Sequence, residues 1–523
     1  MGSYLKRVSK KHQELFLILS IATVLRILLA SSIELGNDEV YYWTYVKYPD
    51  ISHFDHPPML GYFAQLFTFN LFWDSELALR FSAIFCGILS TVLIYLITKE
   101  VRNKRAAIYA AILFSASLYA SIISSLFLMP DNPLMVFWLA AIYCMFLLFK
   151  NKSKTLNGGI STLLGVFIGL ATLSKYQGIF LALGFVIAAF HLRKTWFKQI
   201  QFYMLLVIAI IIASPILWWN WENDFVSFGF HSKRVGLFEN GLRLDYFFSE
   251  LFGEILYNNP INVALIVVAL IGLKNGKWKL KKKYKYLFLH LSWPLILTVL
   301  SFALFKRTLP HWTGPAYTSL MIIAAVYLST QKMNIARRWY IPALSFIFLV
   351  TQLGAMEINQ GIITASFESE NVDPKKKGKY DVTLDMFGWR AFKGAFEAFL
   401  ESEEGIKFND LPMVSQDLYQ SAHFDYYVAR PLEKKLIAFG PIEDVHKYAW
   451  INLERDYIKN HSDALFITHS RAYKSETLFV PYFEKVEMVK QIPILRNGTL
   501  AENYFVFYLE NYKGNYPFPE VKY

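Results

Sequence analysis

Long apolar segments recur through the first two thirds of the chain and constrain its fold more than any other feature. Runs of about 17–20 apolar residues with almost no charge follow one another from Leu15 to Met356. Each run is long enough to cross a ~30 Å hydrocarbon core as a helix. The runs stop after Glu357, so the sequence predicts a bundle of membrane helices followed by a region outside the membrane.

We predict eleven spans, and the segments that connect them differ in charge between the two faces. The segment before the first span and every second connection after it carry 24 Lys and Arg, whereas the opposite face carries seven. Basic residues near the ends of spans stay in the cytoplasm, so the first face is cytoplasmic and the C-terminal region lies outside. The net charge of +12 therefore belongs to cytoplasmic loops, and nucleic acid is not an expected partner. The spans lie near residues 15–33, 79–98, 106–128, 133–149, 160–174, 177–190, 201–219, 260–273, 286–304, 312–330 and 339–357.

Two domains are predicted. Residues 1–357 form a transmembrane module with two long external loops, 34–78 and 220–259. Residues 358–523 form a soluble α/β domain outside the cytoplasm, because short β-like runs alternate there with helical patterns such as 416–429. The β-like runs are 413–415, 435–439, 464–468 and 504–508.

The two long external loops are the expected place for a functional site, since sites are commonly built on loops that a rigid scaffold positions. In the first loop, the apolar segment 59–73 is too short to span and is predicted to lie along the membrane surface as an amphipathic helix. That helix would hold the preceding residues at the edge of the bilayer.

An acidic pair directly after the first span is the strongest catalytic candidate. Asp38 and Glu39 precede the aromatic residues Tyr41, Tyr42 and Trp43. Carboxylates beside aromatic surfaces at a water–lipid boundary suit a sugar carried on a lipid, with the acids catalytic and the tyrosines binding substrate. A solvated loop with an interfacial aromatic belt explains the same residues equally well.

Imidazole and carboxylate side chains on the external face are candidate metal ligands. Both groups bind ions such as zinc, and the segment 53–56 places two histidines close to an aspartate. A surface histidine cluster is the alternative interpretation, and the sequence requires no cofactor. The candidate ligands are His53, Asp55, His231 and His311.

Further candidates lie on the same face. Asp131 occupies a short turn between two spans, where Asp, Asn and Pro are also ordinary turn formers. Cations are informative on this face because most are retained inside; they indicate phosphate binding or anchoring to lipid headgroups. Besides the two tyrosines, the candidate substrate-binding residues are His56, Lys175, Lys233, Arg234, Lys306 and Arg307.

In this order and topology the motifs resemble the GT-C superfamily of integral-membrane glycosyltransferases. Within it they are similar to the bacterial relatives of protein O-mannosyltransferases, above all the lipid A aminoarabinose transferases. The chain departs from that pattern at Asp55-His56, where the family has an acid–lysine pair before its proline. The motifs that carry the resemblance are residues 37–39, 55–62, 80, 129–131, 137–138, 173–176, 231–234 and 306–310.

The resemblance implies a polyprenyl-phosphate sugar as donor and a lipid, glycan or protein as acceptor. It implies a multi-pass protein of the bacterial inner membrane with its active site and C-terminal domain in the periplasm. Asp38 matches the family's essential acidic residue and Asp131 a second important one, while three cations would bind the donor phosphate. Those cations are Lys175, Lys306 and Arg307.

Two other classes of function stay open. A transporter or lipid flippase would move a lipid rather than transfer a sugar, and the sequence lacks the matched pair of broken helices that many transporters have. A non-catalytic scaffold would tolerate loss of the Asp38 charge. The chain contains no Walker loop, dinucleotide fingerprint, zinc-protease helix or GxSxG elbow, so nucleotide binding and those hydrolase classes have no support.

The orientation can be tested with reporter fusions. We expect a reporter fused after Lys283 to be cytoplasmic and one fused after Gly378 to be external, because three predicted spans separate the two positions and the basic residues mark the inner face. Alkaline phosphatase and fluorescent-protein activities measure the two sides. Both fusions reporting the same side would contradict the predicted topology.

Overall fold

A computed structural model of the chain describes residues 13–151, 155–235, 241–367 and 372–522. The chain divides into two compact units. The first comprises Met1–Ala30 and Asp50–Val350, and the second comprises Ser31–Pro49 and Thr351–Tyr523. The second unit thus includes a short segment that precedes most of the membrane helices in the sequence. The domain boundary placed after residue 357 stays a prediction.

Helices make up most of the chain. In order they are α1 (Gln13–Ser32), α2 (Asn37–Lys47), α3 (Met59–Thr68), α4 (Glu76–Val101), α5 (Lys104–Ala116), α6 (Asp131–Lys150), α7 (Gly158–Ser174), α8 (Ile179–Leu192), α9 (Ile200–Glu222), α10 (Val226–Val235), α11 (Leu244–Tyr257), α12 (Pro260–Lys274), α13 (Lys282–Ala303), α14 (Gly314–Thr330), α15 (Met333–Gln360), α16 (Ile362–Phe367), α17 (Trp389–Glu401), α18 (Leu418–Phe424), α19 (Ile442–Val445) and α20 (Tyr448–Glu454). The strands are β1 (Met413–Ser415), β2 (Leu436–Ala438), β3 (Ala464–His469), β4 (Phe483–Arg496) and β5 (Thr499–Tyr512).

Six helices in the described part of the chain are long and apolar enough to cross a membrane, and the bent pair α11–α12 would make seven. The six are α1, α4, α6, α9, α13 and α15. The predicted count of eleven is therefore not confirmed. One reason is that several apolar runs fold as shorter helices: α5 ends at Ala116 and gives way to a π-helical turn at Tyr119–Ile123, within one predicted span. The helices α7 and α8 are likewise short, with 17 and 14 residues.

The core of the first unit surrounds α14, which is buried on nearly every side. It packs against α5, α12 and α13. A helix that is apolar all round must lie inside other elements, and α14 has that pattern. Close packing elsewhere depends on glycine: a Cβ at Gly165 of α7 would lie 2.4 Å from the Leu205 carbonyl oxygen of α9. Gly169, one turn further, makes a similarly close approach to α9, so small residues four positions apart let the two backbones meet.

The helix α3 occupies the start of the segment predicted to lie on the membrane surface. It ends at Thr68, and Phe69 then adopts a left-handed conformation with φ of 50°. Leu66, Phe72 and Trp73 are exposed large apolar side chains in this region. Such a surface matches the interfacial position expected from the sequence.

The second unit contains a mixed five-stranded sheet with the order β2-β1-β3-β5-β4. β1 is parallel to β2 and β3, whereas β5 is antiparallel to β3 and β4. Val414 pairs with both Ile437 and Phe466, and Phe466 pairs with Phe507, so the centre of the sheet is apolar. The residues of β1, β2 and β3 are all buried, as expected for strands covered on both faces.

The four strands predicted in the C-terminal region are confirmed as β1, β2, β3 and β5, and the α/β class is confirmed with them. The strand β4 was not predicted. It lies at the edge of the sheet, carries many exposed charged residues and includes Pro493, features that edge strands tolerate but that hide the alternating pattern.

Candidate functional site

A buried ion pair forms the centre of the candidate site in the first unit. The Lys175 Nζ atom lies 2.7 Å from the Asp131 Oδ2 atom, and the two side chains are only 4% and 0% exposed. The Tyr119 hydroxyl donates a hydrogen bond to Asp131 Oδ1 at 2.9 Å. Both oxygens of the carboxylate therefore have donors, which is what a buried charge needs in order to remain ionised.

The ends of two helices position this pair. Asp131 is the first residue of α6, where the positive end of the helix dipole favours a carboxylate. Lys175 follows the last residue of α7 and has an extended backbone with φ of −158°. The Asp-Asn-Pro segment thus does start a helix, as turn-forming residues often do, but Asp131 is buried against a lysine rather than solvated.

Two imidazoles lie within electrostatic reach of the ion pair. Burial is the main cause that lowers the pKa of His56 to about 4, and the positive charge of Lys175 acts in the same direction. Burial and then Lys175 lower the pKa of His311 to about 3. Both rings are neutral near pH 7, so each offers one N–H donor and one acceptor nitrogen.

The helix α10 brings His231 to the segment that holds Asp55 and His56. A ring nitrogen of His231 lies 3.0 Å from the Asp55 carbonyl oxygen. The His231 ring also contacts Tyr176 edge to face, at 5.2 Å between ring centres. Because Tyr176 is the neighbour of Lys175 in the chain, the helix α10, the histidine segment and the buried lysine meet in one region of the first unit.

The predicted metal ligands do not form a ligand group. Among the residues that the structure describes, no set of three or more His, Cys, Asp or Glu side chains could hold a metal ion. One contact between Asp55 and His231 runs through the Asp55 backbone carbonyl oxygen. His53, Asp55, His231 and His311 therefore do not fit a metal centre in this arrangement, and zinc binding stays a prediction.

The other four predicted phosphate-binding cations lie in two different parts of the first unit. Lys306 is half-buried and Arg307 is exposed, in the segment after α13. Lys233 and Arg234 belong to α10, but their side chains lie outside the described part of the structure. Phosphate binding by all four stays a prediction.

Asp38 lies in the second unit, at the second position of α2. The Tyr419 hydroxyl of α18 donates to Asp38 Oδ1 at 3.1 Å. The neighbouring Asn37 side chain donates to Asp385 Oδ1 at 2.9 Å, and its oxygen lies 3.0 Å from His423 Nε2. Burial holds the pKa of His423 well below its usual value, so the ring is neutral and Nε2 is the donor to the amide oxygen.

Two glutamates fix the start of α2. The Glu39 carboxylate accepts a hydrogen bond from the Gly36 N–H at 3.1 Å and is 2% exposed, so it caps its own helix. The Glu34 carboxylate accepts from the N–H groups of Trp389 and Arg390 at 2.9 and 3.0 Å, at the N-terminus of α17. Glu39 therefore has a structural role here, and its assignment as a catalytic residue stays a prediction.

The aromatic residues after Asp38 are mostly packed inside the second unit. Tyr41 and Tyr42 are 2% and 4% exposed. Both rings contact Tyr45 edge to face, at about 5.5 Å between centres. Substrate binding by Tyr41 and Tyr42 stays a prediction.

Several polar residues of the two units were not singled out from the sequence. Tyr119 and Tyr419 give no local signal, because each contacts a carboxylate that is distant in the chain. Glu250 and Glu254 of α11 did carry a signal, a four-residue spacing in an apolar segment, and both are at most 2% exposed. Their carboxylates accept hydrogen bonds from Thr308 at 2.7 Å and from Tyr317 at 2.8 Å.

The helix that carries these glutamates is part of a broken element. The axes of α11 and α12 meet at 94°. Asn259 at the break has φ of 70° and precedes Pro260, which disfavours a helical conformation for the residue before it. The Asn259 side chain donates to the carbonyl oxygens of Ala116 and Ala343 and so ties the break to α5 and α15.

Comparison with known proteins places this architecture in a class. The family model described as dolichyl-phosphate-mannose-protein mannosyltransferase matches residues 55–219. The structure has the fold of ArnT from Cupriavidus metallidurans, solved bound to undecaprenyl phosphate, with a TM-score of 0.61, 13% identity and coverage of 95% of this chain and 98% of that one. These similarities confirm the resemblance to the GT-C superfamily. Six helices in the described part of the chain have the length and composition of membrane spans, as expected for a multi-pass membrane protein.

Two curated proteins illustrate the sequence similarity. The undecaprenyl phosphate-alpha-4-amino-4-deoxy-L-arabinose arabinosyl transferase of Yersinia pestis is 26% identical over 309 residues, which cover 57% of this chain and 53% of that protein. The lipid A galacturonosyltransferase RgtD of Rhizobium johnstonii is 23% identical over 305 residues, which cover 56% of this chain and 61% of that protein. The chain thus matches between half and two thirds of each relative's length.

The buried ion pair can be tested by a double-mutant cycle. We expect Asp131→Asn and Lys175→Met each to lower the free energy of unfolding by ~3–5 kcal/mol, because each leaves one buried charge without its partner. The double variant should lose less than the sum. Unfolding in detergent by denaturant titration measures all three.

A solvent-exposed ion pair gives the control for that cycle. Arg243 and Asp245 are 2.7 Å apart with side chains 39% and 60% exposed, so Asp245→Asn should change the free energy of unfolding far less than either buried substitution. Additive effects of the two buried substitutions would contradict the interaction between Asp131 and Lys175.

Proposed function

We propose that the protein is a glycosyltransferase that takes a sugar from a polyprenyl-phosphate carrier and passes it to a cell-envelope acceptor on the periplasmic face. The observation that carries the proposal is the buried Asp131–Lys175 pair with two neutral imidazoles nearby, in a chain with the fold of ArnT. The names of the relatives support a lipid-linked sugar as donor and lipid A, another glycan or a protein as acceptor.

The proposed reaction is a single displacement at the anomeric carbon of the donor sugar. Asp38 accepts the proton of the attacking hydroxyl group or orients that group, and the polyprenyl phosphate departs. Cations that face the departing phosphate stabilise its charge, which is often the largest single contribution to catalysis. No nucleotide takes part, in agreement with the absence of nucleotide-binding motifs from the sequence.

We expect the candidate cations to contribute unequally to binding the donor phosphate. The charge of Lys175 is already balanced by Asp131, so a phosphate near it would meet an ion pair rather than a single positive charge. The exposed Arg307 and the half-buried Lys306 carry the larger share of phosphate binding. Arginine suits this role because its planar donors match phosphate oxygens in pairs.

A transporter or lipid flippase is the second candidate, and one observation favours it. The broken pair α11–α12 carries two buried carboxylates, Glu250 and Glu254, features that transporters use for ion and substrate sites. Transport predicts movement of a labelled lipid across the bilayer without a change in its chemistry. Glycosyl transfer predicts release of polyprenyl phosphate and appearance of the label in the acceptor.

The role of Asp38 can be tested by removing its charge. We expect Asp38→Asn to leave expression and membrane insertion normal and to lower the transfer rate by roughly 10²–10⁴-fold, the range for a lost general base. Transfer of labelled sugar from the lipid carrier to an envelope fraction measures the rate.

Glu39→Gln is the matched control for that substitution. Its side chain caps α2 through the Gly36 N–H, and a glutamine oxygen can still accept that hydrogen bond, so we expect a milder effect. Near wild-type transfer by Asp38→Asn would remove Asp38 from the mechanism and make Asp131 the first candidate. It would also favour a non-catalytic scaffold if Asp131→Asn proved equally silent.

Metal dependence can be tested on the same preparation. Because the described side chains do not form a group of three ligands, we expect EDTA-treated protein to keep its transfer rate, with no stoichiometric zinc by elemental analysis. Zinc at one equivalent, or a loss of activity that zinc restores, would instead support the predicted site at His53, Asp55, His231 and His311.

A further inference from the structure

A pocket of about 160 Å³ opens within the second unit. One water molecule needs only ~10–15 Å³ measured in this way, so the pocket has room for a group the size of a single sugar ring. Eight of its nine lining residues have polar side chains, and they come from the start of α2, from α18, from the end of β3 and from other segments of the second unit. The lining residues used below are Asn37, Lys379, Asp417, Tyr419, Arg471 and Ala472.

The pocket borders the residues that position Asp38. Tyr419 lines the pocket and donates to Asp38 Oδ1 at 3.1 Å. Asn37, directly before Asp38 in α2, lines it as well. A group bound here therefore lies beside the hydrogen bond that holds the Asp38 carboxylate, which is where a general base needs its substrate.

The contacts of Asn37 make this wall of the pocket rigid. Its amide bridges the neutral His423 and the carboxylate of Asp385, which in turn pairs with Arg471. The His423 ring stacks on Trp389 with 3.9 Å between ring centres and 7° between planes. The position of Asp38 is therefore set by the second unit and not by a flexible loop.

The chemistry of the lining selects among possible ligands. Arg471 is paired with Asp385, and Asp417 lies 3.2 Å from Lys474, so these two lining charges are balanced, while Lys379 is an exposed cation of the lining. A phosphate entering the pocket would meet the carboxylate of Asp417. A sugar hydroxyl both donates and accepts, and it can use carboxylate, amide and cationic partners at once.

We propose that this pocket binds a terminal sugar residue of the acceptor and that a hydroxyl group of that sugar is the nucleophile. The inference rests on the proposed function and names its acceptor as a glycan hydroxyl rather than a phosphate or a protein side chain. The hydroxyl oxygen forms a bond to the anomeric carbon of the donor as the bond from that carbon to the phosphate oxygen breaks. Asp38 takes the hydroxyl proton, and the polyprenyl phosphate leaves with the bonding electron pair.

Substitutions at exposed positions of the pocket test the binding role. We expect Ala472→Trp, which fills the pocket, and Lys379→Ala, which removes an exposed donor, to raise the KM for acceptor roughly 10-fold each, as expected for one lost charged contact or a blocked site. The KM for donor should not change. The acceptor probe is the total glycolipid and glycan fraction of envelopes from cells that lack the gene, and the donor is the labelled polyprenyl-phosphate sugar pool of the same cells.

A second substitution separates the pocket from general folding effects. Tyr419→Phe removes the hydroxyl that holds Asp38, so kcat should fall at least roughly 10-fold, with the effect absent in an Asp38→Asn background. Tyr508→Phe is the matched control, because the Tyr508 hydroxyl donates to Asp463 at 2.7 Å elsewhere in the same unit. Its kinetics should be those of the wild type.

The linkage of the product decides the nucleophile. Mild acid releases a sugar that is attached to a phosphate. Mild base releases a sugar that is attached to a serine side chain. A sugar attached to a glycan hydroxyl survives both treatments. Label that resists both treatments supports the proposal; release by either one, or an unchanged acceptor KM in Ala472→Trp and Lys379→Ala, overturns it. Absence of transfer and of polyprenyl phosphate release by the wild type would instead contradict the proposed function itself.

Discussion

The ion pair between Asp131 and Lys175 is the interaction on which the first unit most depends, because two charges taken out of water are costly unless each satisfies the other. The side chains are almost fully buried, and the Tyr119 hydroxyl completes the acceptor sites of the carboxylate. The ring of Tyr119 in turn packs on Gly314, where any Cβ would lie within 2.4 Å of ring atoms. The start of α6, the end of α7 and the start of α14 are thus held together by one charge and its partners.

Burial is the main cause that lowers the pKa of two nearby imidazoles, His56 and His311, and the charge of Lys175 acts in the same direction. Neutral rings can orient a polar substrate without adding charge to an already balanced site.

In the second unit, a buried carboxylate at a helix N-terminus helps to position the helix that carries Asp38. The Glu34 carboxylate accepts two backbone hydrogen bonds at the N-terminus of α17, where the helix dipole also favours a negative charge. Because Glu34 comes just before α2, this contact and the Asn37 bridge fix both the position and the rotation of that helix. A short segment from the first external loop has in this way become part of the C-terminal unit.

Much of this structure could be predicted from patterns in the sequence. The features that could not be predicted have physical reasons. Apolar runs predicted the membrane helices, and alternating patterns predicted four strands, because both signals are local. The count of spans is not confirmed, and one reason is that a helix breaks inside an apolar run, as at Ser117 after α5. Asp38, Asp131 and Lys175 could be singled out because each is a charged residue close to an apolar run, and their roles in binding and catalysis stay predictions. Tyr419, His423 and Tyr119 were not, since their roles arise only from contacts between segments far apart in the chain.

The break between α11 and α12 bears on which class of function the fold can support. Transporters that use broken helices usually have two of them, related by an internal repeat, so that the site can open to either side in turn. In the described part of the chain only one such bent pair is present, and the Asn259 amide ties it to both α5 and α15. Each buried glutamate also has a hydroxyl donor from a neighbouring segment, Thr308 for Glu250 and Tyr317 for Glu254. A break held by two helices, with carboxylates that accept hydrogen bonds from hydroxyl groups of neighbouring segments, is better suited to a rigid element than to alternating access.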